Sequence, residues 1–367
     1  MNERTAERLA KTVVDRTIEL AAVPAPPGSE AARADLVASW WQSDGWPDVR
    51  IDPVGNVRAR TGPALAPSIV LAAHLDTVFD VSQPHGARAE DERLVGPSVG
   101  DNSVGVAALS AAATIADSEG VGLWLVGTVG EEGVGNLRGV RGLLDEPPES
   151  GIDALIAVEG NYLGRVSTVG VGATRWRVEM RGPGGHAWEA SRARSAVHEA
   201  ARVTAALAGL SLTRGRTSVN VGRIAGGEAI NARARAAWLE VDLRADDPVA
   251  LEELERLARE AMERSIARGI DFTVAEIGRR PAGSVDRQHP LARAAVDALQ
   301  AAGITPSFTA TSTDANAGHA AGIPSIAIGV TSGEGEHTPD EWIDLRPIPT
   351  GLSVLADTAA RFTKGSG

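Results

Sequence analysis

Ser68-Ile69-Val70-Leu71-Ala72-Ala73-His74-Leu75-Asp76 is an apolar run that ends on a histidine and an acid. A run of this length bounded by turn residues suits a strand buried on both faces, as in a parallel sheet. Gly122 to Val129, Ile152 to Val158 and Ser325 to Gly329 read the same way. Between them lie an Ala-rich helical stretch from Asn102 to Ala116 and a shorter one from Leu137 to Leu144. Before them, residues 4–22 and 29–44 carry apolar residues at helical spacing, parted by Pro24, Pro26, Pro27 and Gly28. Short strands are expected at residues 49–51 and 56–60. This alternation predicts an α/β layer built on a mainly parallel sheet.

The pattern changes near Val169. Gly172 to Met180, Ser218 to Ile224, Ala234 to Ala245 and Ile270 to Ile277 read as strands, the first three with alternating side chains; Ser191 to Leu210 and Pro248 to Arg268 read as helices. Two helices against four strands predict an α+β sandwich inserted into the first domain. After Pro281 the earlier style returns, with helices at Pro290 to Ala302 and Ile348 to Phe362. The expected organisation is a catalytic domain at residues 1–169 and 282–367, with the insert at residues 170–281.

Composition narrows the function classes. The 367 residues exceed one ordinary domain of roughly 100 to 200 residues. No apolar run approaches the roughly 18 residues of a membrane span, and the charged N-terminus has no signal-peptide centre, so no membrane partner and a cytoplasmic address are expected. A net charge of −12 argues against a nucleic-acid partner. The absence of cysteine leaves imidazole and carboxylate as the ligands for any metal. Lysine occurs only at Lys11 and Lys364, which removes lysine chemistry from the chain interior.

Five potential ligands stand at or near the ends of apolar runs or in Gly-rich loops: His74, Asp101, Glu132, Glu159 and His337. His74 lies two residues before Asp76, whose carboxylate is expected to accept the second ring N–H and fix the tautomer. A strand-end histidine beside a turn Asp is the competing reading. Asp101, in Gly100-Asp101-Asn102, can cap the following helix or hold two cations with its two oxygens. Glu131 and Glu132 repel each other as a pair, which a cation on one would relieve; the alternative is a solvated loop.

Together, His74-Leu75-Asp76, Gly100-Asp101-Asn102, Glu131-Glu132-Gly133, Glu159-Gly160 and His337-Thr338-Pro339-Asp340-Glu341 resemble, in order, the site motifs of the co-catalytic zinc metallopeptidases of clan MH. That family includes aminoacylase, acetylornithine deacetylase, succinyl-diaminopimelate desuccinylase, glutamate carboxypeptidase and tripeptide aminopeptidase. The resemblance covers nearly the whole chain and implies two divalent metal ions, zinc first, with cobalt or manganese possible. It implies Asp101 as the bridge, His74 and Glu159 on one metal, Glu132 and His337 on the other, and Glu131 as general base. Asp76 would orient His74.

The resemblance extends to the insert, which looks like the family's dimerisation or lid domain and so implies a homodimer. There His186, in Gly182-Pro-Gly-Gly-His-Ala-Trp188, is implied as the donor to the oxyanion across subunits, and Asn231 as a substrate contact. Arg233-Ala234 stand where relatives commonly carry a Pro, and Ala187 where a Ser is common. Thr311-Ser-Thr-Asp-Ala-Asn316 resembles a loop beside the substrate, which makes Asp314 and Asn316 candidate contacts. The expected activity is hydrolysis of an amide bond in a small peptide or N-acyl amino acid, with a lean toward the peptidases.

Two rivals differ in class. Gly96-Pro97-Ser98-Val99-Gly100 fits G-x-S-x-G and precedes Asp314 and His337, the order of a serine hydrolase using Ser98. That reading leaves Glu131, Glu132 and Glu159 without a role. A non-catalytic binding module on the same fold is the other.

Overall fold

The structure is a computed structural model describing residues 3–62, 67–210 and 216–365. It divides into two compact units, Met1–Gly170 with Ser284–Gly367, and Val171–Gly283.

In the first unit the four apolar runs become neighbouring parallel strands in the order Leu123–Thr128, Ile69–His74, Ala154–Glu159, Ser325–Gly329. Their register levels the carboxyl ends: His74 stands opposite Thr128, and Gly329 opposite Glu159. Val57–Thr61 extends the sheet antiparallel on one side. On the other, Arg165–Gly170 pairs antiparallel with Ser325–Gly329 and parallel with Ser307–Thr311. These last two strands escaped the sequence reading because Arg165-Val-Ser-Thr-Val-Gly and Ser307-Phe-Thr-Ala-Thr carry too many polar residues to stand out as buried runs.

Both faces of the central strands are covered, which is why they read as unbroken apolar runs. Ile69, Leu71, Leu125, Ile156 and Ile328 face a core shared with the helices Glu3–Ala21, Ala31–Ser43, Val104–Ser118, Pro290–Ala301 and Ile348–Gly365. Val70, Ala72, Val126, Leu155 and Ala327 face the opposite way, onto Leu137, Val140 and Leu143 at and within the helix Arg138–Asp145 and Ala315 and Ala317 of Ala315–Ala320.

Val104–Ser118 is an α-helix of 15 residues, preceded by a kink at which Asp101 and Asn102 leave helical geometry. It is a core helix, with most of its residues buried inside the protein. Its alanines and glycine admit close packing beside the sheet.

In the second unit four antiparallel strands run in the order Thr217–Gly226, Ala236–Ala245, Gly172–Arg181, Asp271–Arg280. Trp176, Val178, Met180, Leu239, Val241 and Leu243 alternate onto a core with the helices Ala196–Ala208 and Pro248–Ser265. The opposite face carries paired charges, including Arg175 with Asp242 and Arg177 with Glu240. The start of the second helix is written locally: Asp247 accepts the Ala250 N–H at 2.8 Å and Pro248 occupies the first turn. A short ribbon pairs Gly185–His186 with Ala232–Arg233.

Close approach of backbones fixes the site edge of the first unit. A Cβ on Gly160, directly after Glu159, would stand 2.2 Å from the Gly100 carbonyl oxygen and 2.3 Å from Val104 Cγ1. Gly160→Ala is therefore expected to destabilise the protein by about 1–3 kcal/mol, the cost of overpacking. Urea unfolding measures this, and an unchanged midpoint would count against the packing described.

Candidate metal centre

His74 closes its strand with the ring buried. Its Nδ1 lies 3.0 Å from the main-chain oxygen of Asp76. A carbonyl only accepts, so the proton sits on Nδ1 and Nε2 points into the site. The expected partner, the Asp76 carboxylate, is 3.8 Å away and otherwise engaged. It accepts the main-chain N–H groups of Glu131 at 2.9 Å and Glu132 at 2.7 Å. Asp76 thus orients His74 through its carbonyl and holds the Glu131–Glu132 segment through its carboxylate, because the loop after Leu123–Thr128 folds over the end of the His74 strand.

Asp101 sits between the two histidines. Its Oδ1 is 2.9 Å from His74 Nε2 and its Oδ2 is 3.0 Å from His337 Nε2. The helix-cap reading of Asp101 is not realised: Ser103 holds the cap position of Val104–Ser118, without a side-chain bond. His337 Nε2 also lies 3.2 Å from Glu132 Oε1, and His74 Nε2 lies 3.8 Å from Glu159 Oε2. Two groups result, His74–Asp101–Glu159 and Asp101–Glu132–His337, each with its ligand atoms within 4.8 Å of one another. A third such group joins His74 to Glu131 and Glu132. Oxygen and imidazole donors around one shared carboxylate fit divalent cations of borderline hardness.

Strand ends and loop geometry produce this gathering. His74 and Glu159 lie at the level carboxyl edge, where open α/β sheets collect their ligands. Asn102 ties the Asp101 loop to that edge, donating from Nδ2 to the Val158 carbonyl at 2.7 Å and accepting the Gly160 N–H at 3.1 Å. His337 takes a left-handed backbone, φ 64°, in its loop.

The electrostatics follow from packing so many acids together. Burial works against the ionised Asp101, but hydrogen bonds from His337 and His74 overcome it and hold its carboxyl well below the usual range. Burial likewise opposes protonation of His74, and Asp101, with Glu131 and Glu159, reverses the balance and raises it. Glu159 is raised by burial, against the pull of His74. Asp76 is pushed up to about 6, chiefly by burial.

Other expected residues fall differently. Asp314 and Asn316 are buried and held by the protein itself: Asp314 Oδ2 accepts the Thr128 hydroxyl, and Asn316 Oδ1 accepts the Thr313 N–H at 3.0 Å. Both lie at the start of the helix Ala315–Ala320, which packs on the sheet. Ser98 is fully buried and its Oγ accepts from Arg33 Nη2 at 3.1 Å, while His337 faces Asp101 and Glu132; the serine triad is not formed. His186 and Asn231 belong to the second unit. The Asn231 carbonyl accepts the Ala187 N–H at 2.8 Å, and His186 Nδ1 accepts the Trp188 N–H at 3.3 Å.

Sequence reasoning left three supports unassigned. Glu341 accepts the N–H groups of Gly100 and Asp101. Buried Arg33 donates to the carbonyls of Val23 and Leu75. Arg138, just past the Glu131–Glu132 loop, pairs with buried Glu30 at 3.0 Å. Glu341 was visible within a quoted motif; the other two had no local signal.

A site of shared carboxylate and imidazoles on the carboxyl edge of such a sheet is that of a metal-dependent hydrolase, and comparison with known proteins gives the family. The chain belongs to peptidase family M20/M25/M40, which it matches over residues 70–361. It is a metallohydrolase acting on amide or peptide bonds with divalent metal. It is 26% identical over 351 residues to succinyl-diaminopimelate desuccinylase of Corynebacterium glutamicum, covering 92% of this chain and 94% of that protein. Its fold is similar to that of the aminopeptidase PepT of Bacillus cereus, with TM-score 0.79 and 21% identity over 96% of this chain and 98% of the other. A tripeptidase of Staphylococcus aureus gives TM-score 0.80 and 20% identity over 97% and 98%.

In the metal-free protein His337 is raised from 6.5 to about 10 by its hydrogen bonds to Asp101 and Glu132. A histidine with a raised folded pKa contributes stability that is complete below the unfolded value and is lost as pH rises through the folded one. Chelator-treated protein should therefore lose melting temperature between pH 6.5 and about pH 10, and His337→Ala should flatten that loss. Calorimetry across the window checks this; an equally steep fall in the variant would contradict it.

Proposed function

We propose that the protein hydrolyses small peptides, with N-acyl amino acids as the neighbouring substrate class, using a dinuclear metal centre and Glu131 as general base. The observation that carries this reading is that Asp101 presents one oxygen toward each imidazole, and each imidazole has a further carboxylate beside it. His74, Asp101 and Glu159 would hold one cation; Asp101, Glu132 and His337 the other. Zinc is the first choice, with cobalt or manganese suited to the same donors. When bound, two such cations would supply Lewis-acid polarisation of the scissile carbonyl and a more acidic water.

The protein's own groups do the rest. Glu131 takes the proton from the water that adds to the carbonyl carbon, then delivers it to the amine nitrogen as the C–N bond breaks. Asp76 fixes the main chain from which Glu131 and Glu132 both depart. His186 Nδ1 accepts a main-chain N–H, so a neutral ring carries its proton on Nε2, free to donate to the oxyanion. In this reading the second unit forms a homodimer, His186 serves the partner's site, and Asn231 contacts the substrate beside it. The lean toward peptides rests on Glu131-Glu132-Gly-Val-Gly-Asn-Leu-Arg-Gly139 and Ser312-Thr-Asp-Ala-Asn316, which resemble the peptidase members; the fold likeness to the tripeptidase and the sequence likeness to the desuccinylase define the two substrate classes to compare.

Chelation should abolish turnover, zinc, cobalt or manganese should restore it, and serine reagents should leave it unchanged; full activity without any cation would sink the proposal. A panel of dipeptides, tripeptides and N-acyl amino acids, N-succinyl-diaminopimelate included, decides the substrate class.

Glu131→Ala should lower turnover on the order of 100- to 10,000-fold with metal content retained. Unchanged turnover would remove Glu131 from the role of base. His186→Ala should lose turnover on the order of 100- to 1,000-fold while staying folded. Mixed with Glu131→Ala protein, it should regain activity through hybrid dimers, and no regain would refute action across subunits.

A further inference from the structure

Glu341 is fully buried and comes from a part of the chain remote in sequence from the loop it touches. One oxygen, Oε1, accepts two successive main-chain N–H groups, Gly100 at 3.0 Å and Asp101 at 2.7 Å. The other, Oε2, is buried with no hydrogen-bond partner among the described residues. The Glu341 carbonyl also accepts the Gly96 N–H at 2.8 Å, so its main chain is anchored to the same loop. Gly100 is what permits the approach: a Cβ there would lie 2.7 Å from Glu341 Oε1 and 3.1 Å from Ile343 Cγ2.

A buried carboxyl without a cationic partner is a costly way to fill space, since an apolar side chain would pack there without the desolvation penalty. What it adds is a fixed acceptor for two consecutive amides. Those amides define the direction in which the Asp101 side chain leaves the backbone, and the Asp101 carboxylate must address both histidine groups at once.

We propose that Glu341 is a positioning residue for the metal centre: by accepting the Gly100 and Asp101 N–H groups with Oε1, it sets the Asp101 carboxylate in the orientation that serves both cations. This rests on the reading of Asp101 as the shared ligand. Outer partners that orient ligands affect metal affinity more than overall folding. The role requires an acceptor at Oε1 and places no demand on Oε2, so a glutamine with its carbonyl in that place meets it, whereas an aspartate, one methylene shorter, falls out of reach of the two amides.

The test uses the full-length metal-free protein and zinc alone as the probe, with affinity measured by chelator competition and the Gly100 and Asp101 amides followed by hydrogen exchange. Glu341→Ala and Glu341→Asp should each weaken zinc binding on the order of 10- to 100-fold and expose both amides to exchange. Glu341→Gln should keep the parent's affinity and amide protection. If Glu341→Ala does not fold, the Asp and Gln variants carry the comparison. A folded Ala or Asp variant with the parent's zinc affinity overturns the role, as does a Gln variant that falls as far as Asp. Asp101→Asn separates the two levels. If it also binds zinc like the parent, the metal-site reading itself is wrong; if it loses zinc while Glu341→Ala does not, only the positioning role is.

Discussion

The site turns on one carboxylate between two imidazoles. Asp101 reaches His74 Nε2 with one oxygen and His337 Nε2 with the other. The attraction outweighs the burial of Asp101 and His74, which lie in the interior, while His337 closes the pair from a side chain about half exposed to water. Everything around it restrains the freedom of those three side chains. The Asp76 carbonyl fixes the His74 ring, Asn102 binds the Asp101 loop to the edge of the sheet, and Glu341 holds the N–H groups of Gly100 and Asp101. A cluster this rich in acid needs positive charge, and protons on the histidines supply it when no cation does.

The fold delivers these groups by simple means. Parallel strands with level carboxyl ends bring His74 and Glu159 to one line, and the loop after Leu123–Thr128 carries Glu131 and Glu132 over it. Asp76 binds that loop by its main chain, so the two glutamates are set by backbone hydrogen bonds. A base that must meet a water at one position benefits from such restraint, because misplacement costs rate steeply.

Much of the centre was legible from residue type and place. Each ionisable residue taken alone had a bland reading, but His74 and Glu159 ending apolar strands, with Asp101, Glu132 and His337 in loops between and after them, matched one family's motifs in order. What the sequence did not reveal has one cause. Asp76 was assigned by spacing to the His74 ring, but its carboxylate had nearer donors in a loop over fifty residues on. The burial of Asp314 and Asn316 at the start of the helix Ala315–Ala320 likewise depends on segments that meet only in the fold.

The sequence by itself determined the strand and helix alternation, the change of pattern near Val169 and its return after Pro281, and the residue types available to a metal, because periodicity and composition are local properties. Only the tertiary structure decided which oxygen faces which nitrogen, that Ser98 is sealed beneath Arg33, and that Glu341 meets Gly100 across 241 residues of chain. Hydrogen bonds are directional and short, so their pairing depends on where separate segments come to rest, and no spacing along the chain encodes that.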